Sequence, residues 1–262
     1  MHERSPERDL LIADGLVKRF GELTALAGVT LTVRRGEVFG LLGPNGAGKT
    51  TTLKICTGLL HPTSGSVFVD GIDVKRDPQA AKRLIGYVPD EPYLYDKLTG
   101  REFITFMGKL YGVRTDLASR VERLLAFFDL MDAANDWIGG YSHGMRQKTA
   151  LCGVLVHEPR VLFLDEPTVG LDPRSARLLK DALRLLAAQG RGVILCTHIL
   201  EIAQAICDRV AILDRGHIVA EGSLDQLRQT VHASSDESLE DIFLRLTGEE
   251  DERSVARSLM VP

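Results

Sequence analysis

The chain has 262 residues, of which 44% are apolar and 26% charged, and its formal net charge is −4. This length can bury a large core without a disulfide or structural metal. The slight acidic excess argues against a nucleic-acid partner, and no apolar run approaches the roughly 20 residues of a membrane span. The polar start predicts no signal peptide. The four cysteines form no C-x-x-C pair, which favours reduced structural thiols in a cytosolic protein.

The first part of the chain is predicted to be rich in strands. Short apolar runs predict strands at 10–13, 31–33 and 38–42. A helix should then run from Lys49 to about Leu60. Two further short strands, 67–69 and 72–74, flank Asp70 and Gly71, a strong two-residue hairpin signal.

The pattern becomes helical at about residues 91–157. Apolar residues recur there at helical spacing and give one core-facing side: Leu117, Val121, Leu124, Leu125 and Phe128. Ser142 can cap a helix that runs to about His157, before Pro159.

Strands and helices then alternate, with strands at 161–164, 193–196 and 210–213 and helices at 174–188 and 200–207. This alternation predicts a parallel sheet covered by helices. A turn at 214–217 leads into a last strand at 218–220. The charged tail, residues 247–262, is expected to fray.

A complete G-x-x-x-x-G-K-T motif lies between a predicted strand and a predicted helix, as a phosphate-binding P-loop requires. Its glycines allow backbone N–H groups to approach phosphates, and the helix N-terminus favours the anion. Lys49 is expected to neutralise the β- and γ-phosphates of ATP, and the Thr50 hydroxyl to hold Mg²⁺. The predicted ATP-binding residues of the loop are Gly43, Pro44, Asn45, Gly46, Ala47, Gly48, Lys49, Thr50 and Thr51.

Acidic residues end a later apolar strand. Asp165 and Glu166 follow Val161–Leu164 directly, and buried carboxylates are costly unless they meet a metal or a water. Asp165 is predicted to bind Mg²⁺, and Glu166 to polarise the attacking water. His198 follows the next predicted strand, where the γ-phosphate would lie, and is predicted to sense that phosphate during catalysis.

With these motifs the chain resembles the ATPase subunit of an ATP-binding cassette (ABC) transporter over about residues 10–246. The resemblance implies an α/β fold: a P-loop NTPase core with a parallel sheet, an N-terminal antiparallel β subdomain and an inserted helical subdomain at about 91–157. It also implies that Phe20 stacks on adenine and that residues 167–172, ending in Asp172, cross a dimer interface. The segment 141–147 stands where the family has its glycine-rich signature. There Ser142, His143 and Gly144 would bind the γ-phosphate held by a second ABC ATPase subunit, the same chain or a homologue.

Two departures from the family pattern stand out. Asp90 follows Tyr87-Val88-Pro89 where the family usually has a glutamine that touches Mg²⁺ and the water, so Asp90 is predicted to act on both. His143 and Met145 replace the usual glycine and glutamine of the signature. The chain is most similar to the subfamily resembling multidrug and antibiotic type-2 exporters, to which residues 85–92 and 239–244 also point.

The leading hypothesis is therefore the ATP-hydrolysing motor of an exporter, peripheral on the cytoplasmic face of the membrane, with no membrane span of its own. The resemblance implies that separate transmembrane permease subunits dock at about Glu91–Tyr111. Within this segment the loop at Tyr93, Leu94 and Tyr95 is predicted to make the contact, while Phe103 and Phe106 pack the subdomain core. A soluble ABC ATPase acting on DNA or ribosomes is the alternative, and a module that binds ATP without hydrolysis is a third interpretation, which Glu166 and His198 disfavour.

Overall fold

The computed structural model describes residues 9–231, 234 and 237–247 of the chain. Apart from Thr247, the predicted charged tail lies outside the described residues. The strands of the described part are β1 (Asp9–Phe20), β2 (Leu23–Arg34), β3 (Val38–Leu42), β4 (Ser64–Val69), β5 (Ile72–Asp73), β6 (Ile85–Val88), β7 (Val161–Asp165), β8 (Gly192–Thr197), β9 (Arg209–Asp214) and β10 (His217–Gly222). Its α-helices are α1 (Lys49–Cys56), α2 (Pro78–Leu84), α3 (Gly100–Leu110), α4 (Leu117–Phe127), α5 (His143–Leu155), α6 (Pro173–Ala188), α7 (Leu200–Ile206), α8 (Leu224–Thr230) and α9 (Leu239–Thr247).

A six-stranded sheet positions the candidate site. Its order is β10-β9-β3-β8-β7-β6, with β10 antiparallel to β9 and the other neighbours parallel. Leu42 on β3 is level with Thr197 on β8, and Asp165 on β7 is level with Cys196. The carboxyl ends of β3, β8 and β7 therefore meet at one edge, which is where open α/β sheets bind ligands.

A second sheet, in the order β2-β1-β4-β5, is antiparallel and comes from the N-terminal part of the chain. Its strands β1 and β2 have 12 residues each, far longer than the predicted strands at 10–13 and 31–33. Their pairing contains several register shifts, which break the alternation that reveals a strand in a sequence. Asp70 and Gly71 both have positive φ, 49° and 80°, as a type I′ hairpin turn requires, so that prediction is confirmed.

The predicted α/β fold class is confirmed. Helices α3 to α5 lie between β6 and β7 in the chain. The bounds of the helical subdomain and of the whole domain stay predictions. The apolar face foreseen on α4 is present, since Val121, Leu125 and Phe128 are buried. Phe103 on α3 is buried as expected, but the expectation for Phe106 is wrong, because that ring is 41% exposed.

Other element bounds differ for local reasons. Helix α1 ends at Cys56 rather than near Leu60, because Gly58 adopts a left-handed conformation with φ 68° just beyond it. The sequence did not reveal α2, β6, α8 or α9, and β6 has only four residues. In the part of the chain that the structure describes, no helix is both long and apolar enough to span a membrane.

Candidate nucleotide site

The P-loop motif joins β3 to α1. Two of its glycines lie where the surrounding atoms leave no room for a side chain. Gly48 is the N-cap of α1 and has φ 110°, a backbone conformation that residues with a Cβ atom rarely adopt. A Cβ atom there would lie 2.8 Å from the Ala25 carbonyl oxygen, and one on Gly43 would lie 2.2 Å from the Leu213 carbonyl oxygen. The loop is thus packed tightly against Ala25 of β2 and Leu213 of β9. It leads directly into α1, whose N-terminus carries favourable partial positive charge for an anion.

Lys49 is the buried cation of this loop, with only 7% of its surface exposed. Its ammonium donates to the carbonyl oxygen of Gly43 at 2.6 Å and to that of Pro44 at 3.1 Å. Carbonyl oxygens carry only partial negative charge, so a phosphate group attracts this ammonium more strongly than its present partners do.

Asp165 ends β7 and is 3% exposed. Burial raises the pKa of its carboxyl group, and the negative charges of Glu166 and Asp90 add to this effect. A hydrogen bond from the Thr50 side chain and the charge of Lys49 act in the opposite direction. A bound divalent cation would favour the ionised form and relieve the repulsion among the three carboxylates.

Glu166 is held beside His198 at the ends of β7 and β8. The Glu166 carboxylate lies 2.9 Å from Nδ1 of His198 and accepts from the His198 backbone N–H at 3.3 Å. Glu166 has a left-handed backbone with φ 48°, and its own N–H donates to the Cys196 carbonyl at 2.9 Å. Such strain in a non-glycine residue is often found at functional sites.

A cavity of about 360 Å³ lies over the P-loop, within the size range of small-molecule sites. Most of the predicted site residues line it: Phe20, Pro44, Asn45, Gly46, Gly48, Lys49, Thr50, Thr51, Asp90, Asp165 and Glu166. Gly43 and Ala47 belong to the same loop without lining the cavity, and His198 adjoins it through Glu166. Leu23 and Ala25 also line the cavity and were not predicted, although Leu23 pairs with Phe20 in the β1–β2 hairpin.

The remaining predicted residues lie outside the cavity, at the starts of α5 and α6. Ser142 caps α5 by accepting from the Met145 N–H at 3.3 Å, and Asp172 caps α6 by accepting from the Ser175 N–H at 3.0 Å. The Ser175 hydroxyl also donates to Asp172, and these bonds lower the pKa of the Asp172 carboxyl. His143 and Gly144 form the first turn of α5, and neither of them lines the P-loop cavity of this chain.

The sequence pattern of the ABC transporter family matches residues 26–169, a stretch that contains the P-loop, Asp165 and Glu166. The chain belongs to the ABC transporter family. It is one of the ATPases of that family, as the P-loop and the Asp165–Glu166 pair predicted.

Relatives in several bacteria extend this assignment. The chain is 42% identical over 219 residues to daunorubicin resistance ATP-binding protein DrrA3 of Streptomyces coeruleorubidus, covering 83% of this chain and 69% of the relative. It is 38% identical to ABC transporter ATP-binding protein NatA of Bacillus subtilis, covering 84% and 89% respectively. The Nod factor export ATP-binding protein I of Burkholderia lata is 41% identical, with 79% and 68% covered.

Among solved structures, the ATP-binding subunit of an ABC transporter superposes with a TM-score of 0.86 at 33% sequence identity. The match covers 90% of this chain and 99% of that structure. The relatives carry names of transport and drug resistance, which favours the transporter interpretation over an ATPase that acts on DNA or ribosomes.

Proposed function

We propose that this ABC transporter ATPase binds Mg-ATP in the P-loop cavity and hydrolyses it to drive export through separate transmembrane subunits. The observation that carries the proposal is the convergence of Lys49, Thr50, Asp165 and Glu166 on one cavity, with His198 behind Glu166. In this arrangement Phe20 stacks on the adenine from the end of β1. The Glu166 carboxylate accepts a proton from the attacking water, and His198 orients that carboxylate.

The donor set fits a magnesium ion. Mg²⁺ in nucleotide sites prefers oxygen ligands and takes one or two from carboxylates while phosphates and waters supply the rest. Thr50, Asp165 and Asp90 offer such oxygens at the cavity. Among the described residues, no group of three or more His, Cys, Asp or Glu side chains is arranged to hold a metal alone. This agrees with an ion that binds together with the nucleotide, whose charge it would neutralise.

We place a second ABC ATPase subunit, the same chain or a homologue, opposite the P-loop cavity. Ser142, His143 and Gly144 begin α5, and their backbone N–H groups with the Ser142 hydroxyl suit a γ-phosphate. Since this helix start does not line the cavity of its own chain, the phosphate would belong to the partner. Asp172 and the loop before it would then lie at the dimer interface.

The names of the relatives, which include export of Nod factor and resistance to daunorubicin, support an exporter. We place the chain at the cytoplasmic face of its membrane. Tyr93 and Tyr95, which precede α3, are 91% and 57% exposed. Tyr95 packs edge-to-face on Phe106 of α3 with ring centroids 5.8 Å apart, so the loop and α3 together form an aromatic surface. Exposed aromatic side chains are common anchors of protein interfaces. We assign this surface, within Glu91–Tyr111, to the transmembrane permease subunits.

Replacing Lys49 with alanine should weaken ATP binding at least about tenfold, which corresponds to about 1.4 kcal/mol, since it removes the buried cation of the P-loop. Equilibrium titration with a fluorescent ATP analogue measures the effect. Lys54→Ala is the matched control, because Lys54 is an exposed cation on the same helix. Equal ATP affinities for the Lys49→Ala variant and the wild-type chain would contradict the proposed site.

Replacing Tyr93 with aspartate should abolish transport and weaken association with the permease, while ATP hydrolysis by the isolated chain stays normal. Tyr93 is the better choice than Tyr95, whose ring packs on α3. Flotation of the chain with membranes that contain its permease measures association, and Tyr93→Phe serves as the control. Full flotation and full transport by the aspartate variant would refute this docking surface.

A further inference from the structure

We propose that the His143 side chain is a positioning residue for hydrolysis, which holds the loop between Glu166 and α6 in place within its own chain. The inference rests on the proposed roles of Glu166 and the P-loop. His143 stands where the family signature usually has a glycine. Its imidazole acts within one chain, while the backbone N–H groups of α5 bind the phosphate of the partner.

The imidazole of His143 lies directly on that loop. Its Nε2 is 3.2 Å from the carbonyl oxygen of Val169. A carbonyl oxygen only accepts hydrogen bonds, so Nε2 carries the proton in this contact. Gly170 follows with φ 72°, and a Cβ atom there would lie 2.7 Å from Cδ2 of His143. The ring therefore fits against a glycine, and any side chain at position 170 would displace it.

One backbone hydrogen bond connects the same loop to Glu166, and a second lies within the loop. The Val169 N–H donates to the Glu166 carbonyl at 3.2 Å, and the Leu171 N–H donates to the Thr168 carbonyl at 3.2 Å. Gly144 lies close to Leu171 as well, since a Cβ atom at 144 would be 3.6 Å from Leu171 Cδ2. A continuous set of contacts thus leads from the start of α5 through Val169 to Glu166.

Rigid support of this kind is needed because Glu166 has a strained backbone and a carboxylate that must meet the attacking water. A glycine at position 143 could form the same helix turn but could not reach the Val169 carbonyl. The expected consequence is a less well-placed Glu166 carboxylate, and hence slower chemistry with ATP binding unchanged.

The test uses the full chain and measures kcat, KM and the equilibrium affinity for ATP. His143→Gly should lower kcat about three- to tenfold, the rate equivalent of one ordinary hydrogen bond, and leave ATP affinity unchanged. His143→Gln should recover most of the lost rate, because the glutamine amide nitrogen can donate from about the position of Nε2. His61→Gly is the matched control, since His61 is exposed and lies in the loop between α1 and β4.

A second variant tests the contact from the other side. Gly170→Ala should lower kcat with His143 in place, and it should do so less in the His143→Gly background, where the clash with the ring is gone. Such non-additivity indicates that the two residues act through one contact.

Three results would overturn the inference: an unchanged kcat for His143→Gly, failure of glutamine to restore the rate, or a loss that appears only as a raised KM. A raised KM alone would indicate that the imidazole of His143 contacts the phosphate of ATP itself. Failure of the proposed function would look different, because the unchanged chain would then not hydrolyse ATP at all.

Discussion

Replacing Glu166 with glutamine is expected to lower ATP hydrolysis by about 10²- to 10⁴-fold, the range that general-base assistance supplies. The substitution keeps the shape of the side chain, and one oxygen remains to accept from the His198 backbone N–H. The amide cannot take a proton from water. The P-loop, with Lys49 and Thr50, is untouched, so ATP affinity should stay within about twofold of that of the unchanged chain.

Because binding survives without chemistry, this variant should also accumulate as an ATP-bound dimer. Size-exclusion chromatography with ATP and Mg²⁺ would show the dimer, and a phosphate-release assay the slow turnover. Glu201→Gln is the control, since Glu201 is an exposed acid in the first turn of α7. Turnover near the normal rate would show that Glu166 is not the base, and a loss of ATP binding would point to a structural role.

The sequence indicated which P-loop residues lie together because they are close in the chain. The P-loop lies within one continuous segment, and β3 before it is an uninterrupted apolar run that stays buried along its length. The Glu166–His198 pair could be foreseen in outline, since each follows a strand of a predicted parallel sheet. Their separation of 2.9 Å could not be foreseen, because it depends on β7 and β8 being neighbours in register.

Other features depend on contacts between distant parts of the chain. Leu23 could not be assigned to the cavity, because only the last part of β2, at 31–33, was recognisable as an apolar strand in the sequence. Leu23 is the first residue of that strand. The strand β6, which leads to Asp90, is short and contains Gly86, whose place against Val154 and Pro159 becomes clear only in the folded chain. The contact of His143 with Val169 joins residues 26 positions apart, and no periodic pattern signals it.

Replacing Gly144 with aspartate is expected to reduce ATP hydrolysis more than about 100-fold while ATP binding to the single chain survives. In the proposed dimer, position 144 lies beside the γ-phosphate of the partner's ATP. Two unit charges 4 Å apart repel by about 4 kcal/mol at an effective dielectric constant of 20, which would prevent closure around the nucleotide. Gly144 does not line the P-loop cavity of its own chain, so the affinity of the single chain for ATP should not change.

Gly144→Asn separates the charge from the size of the side chain. Among the described residues, a Cβ atom at 144 would meet Leu171 alone, at an ordinary contact distance of 3.6 Å, so the start of α5 should tolerate either residue. Asparagine has almost the shape of aspartate without the charge, and this variant should retain much more activity. In the Glu166→Gln background, the aspartate should also prevent the ATP-dependent dimer. Normal hydrolysis by Gly144→Asp would contradict the assignment of α5 to the partner's phosphate, and equal losses for both variants would show that bulk rather than charge is responsible.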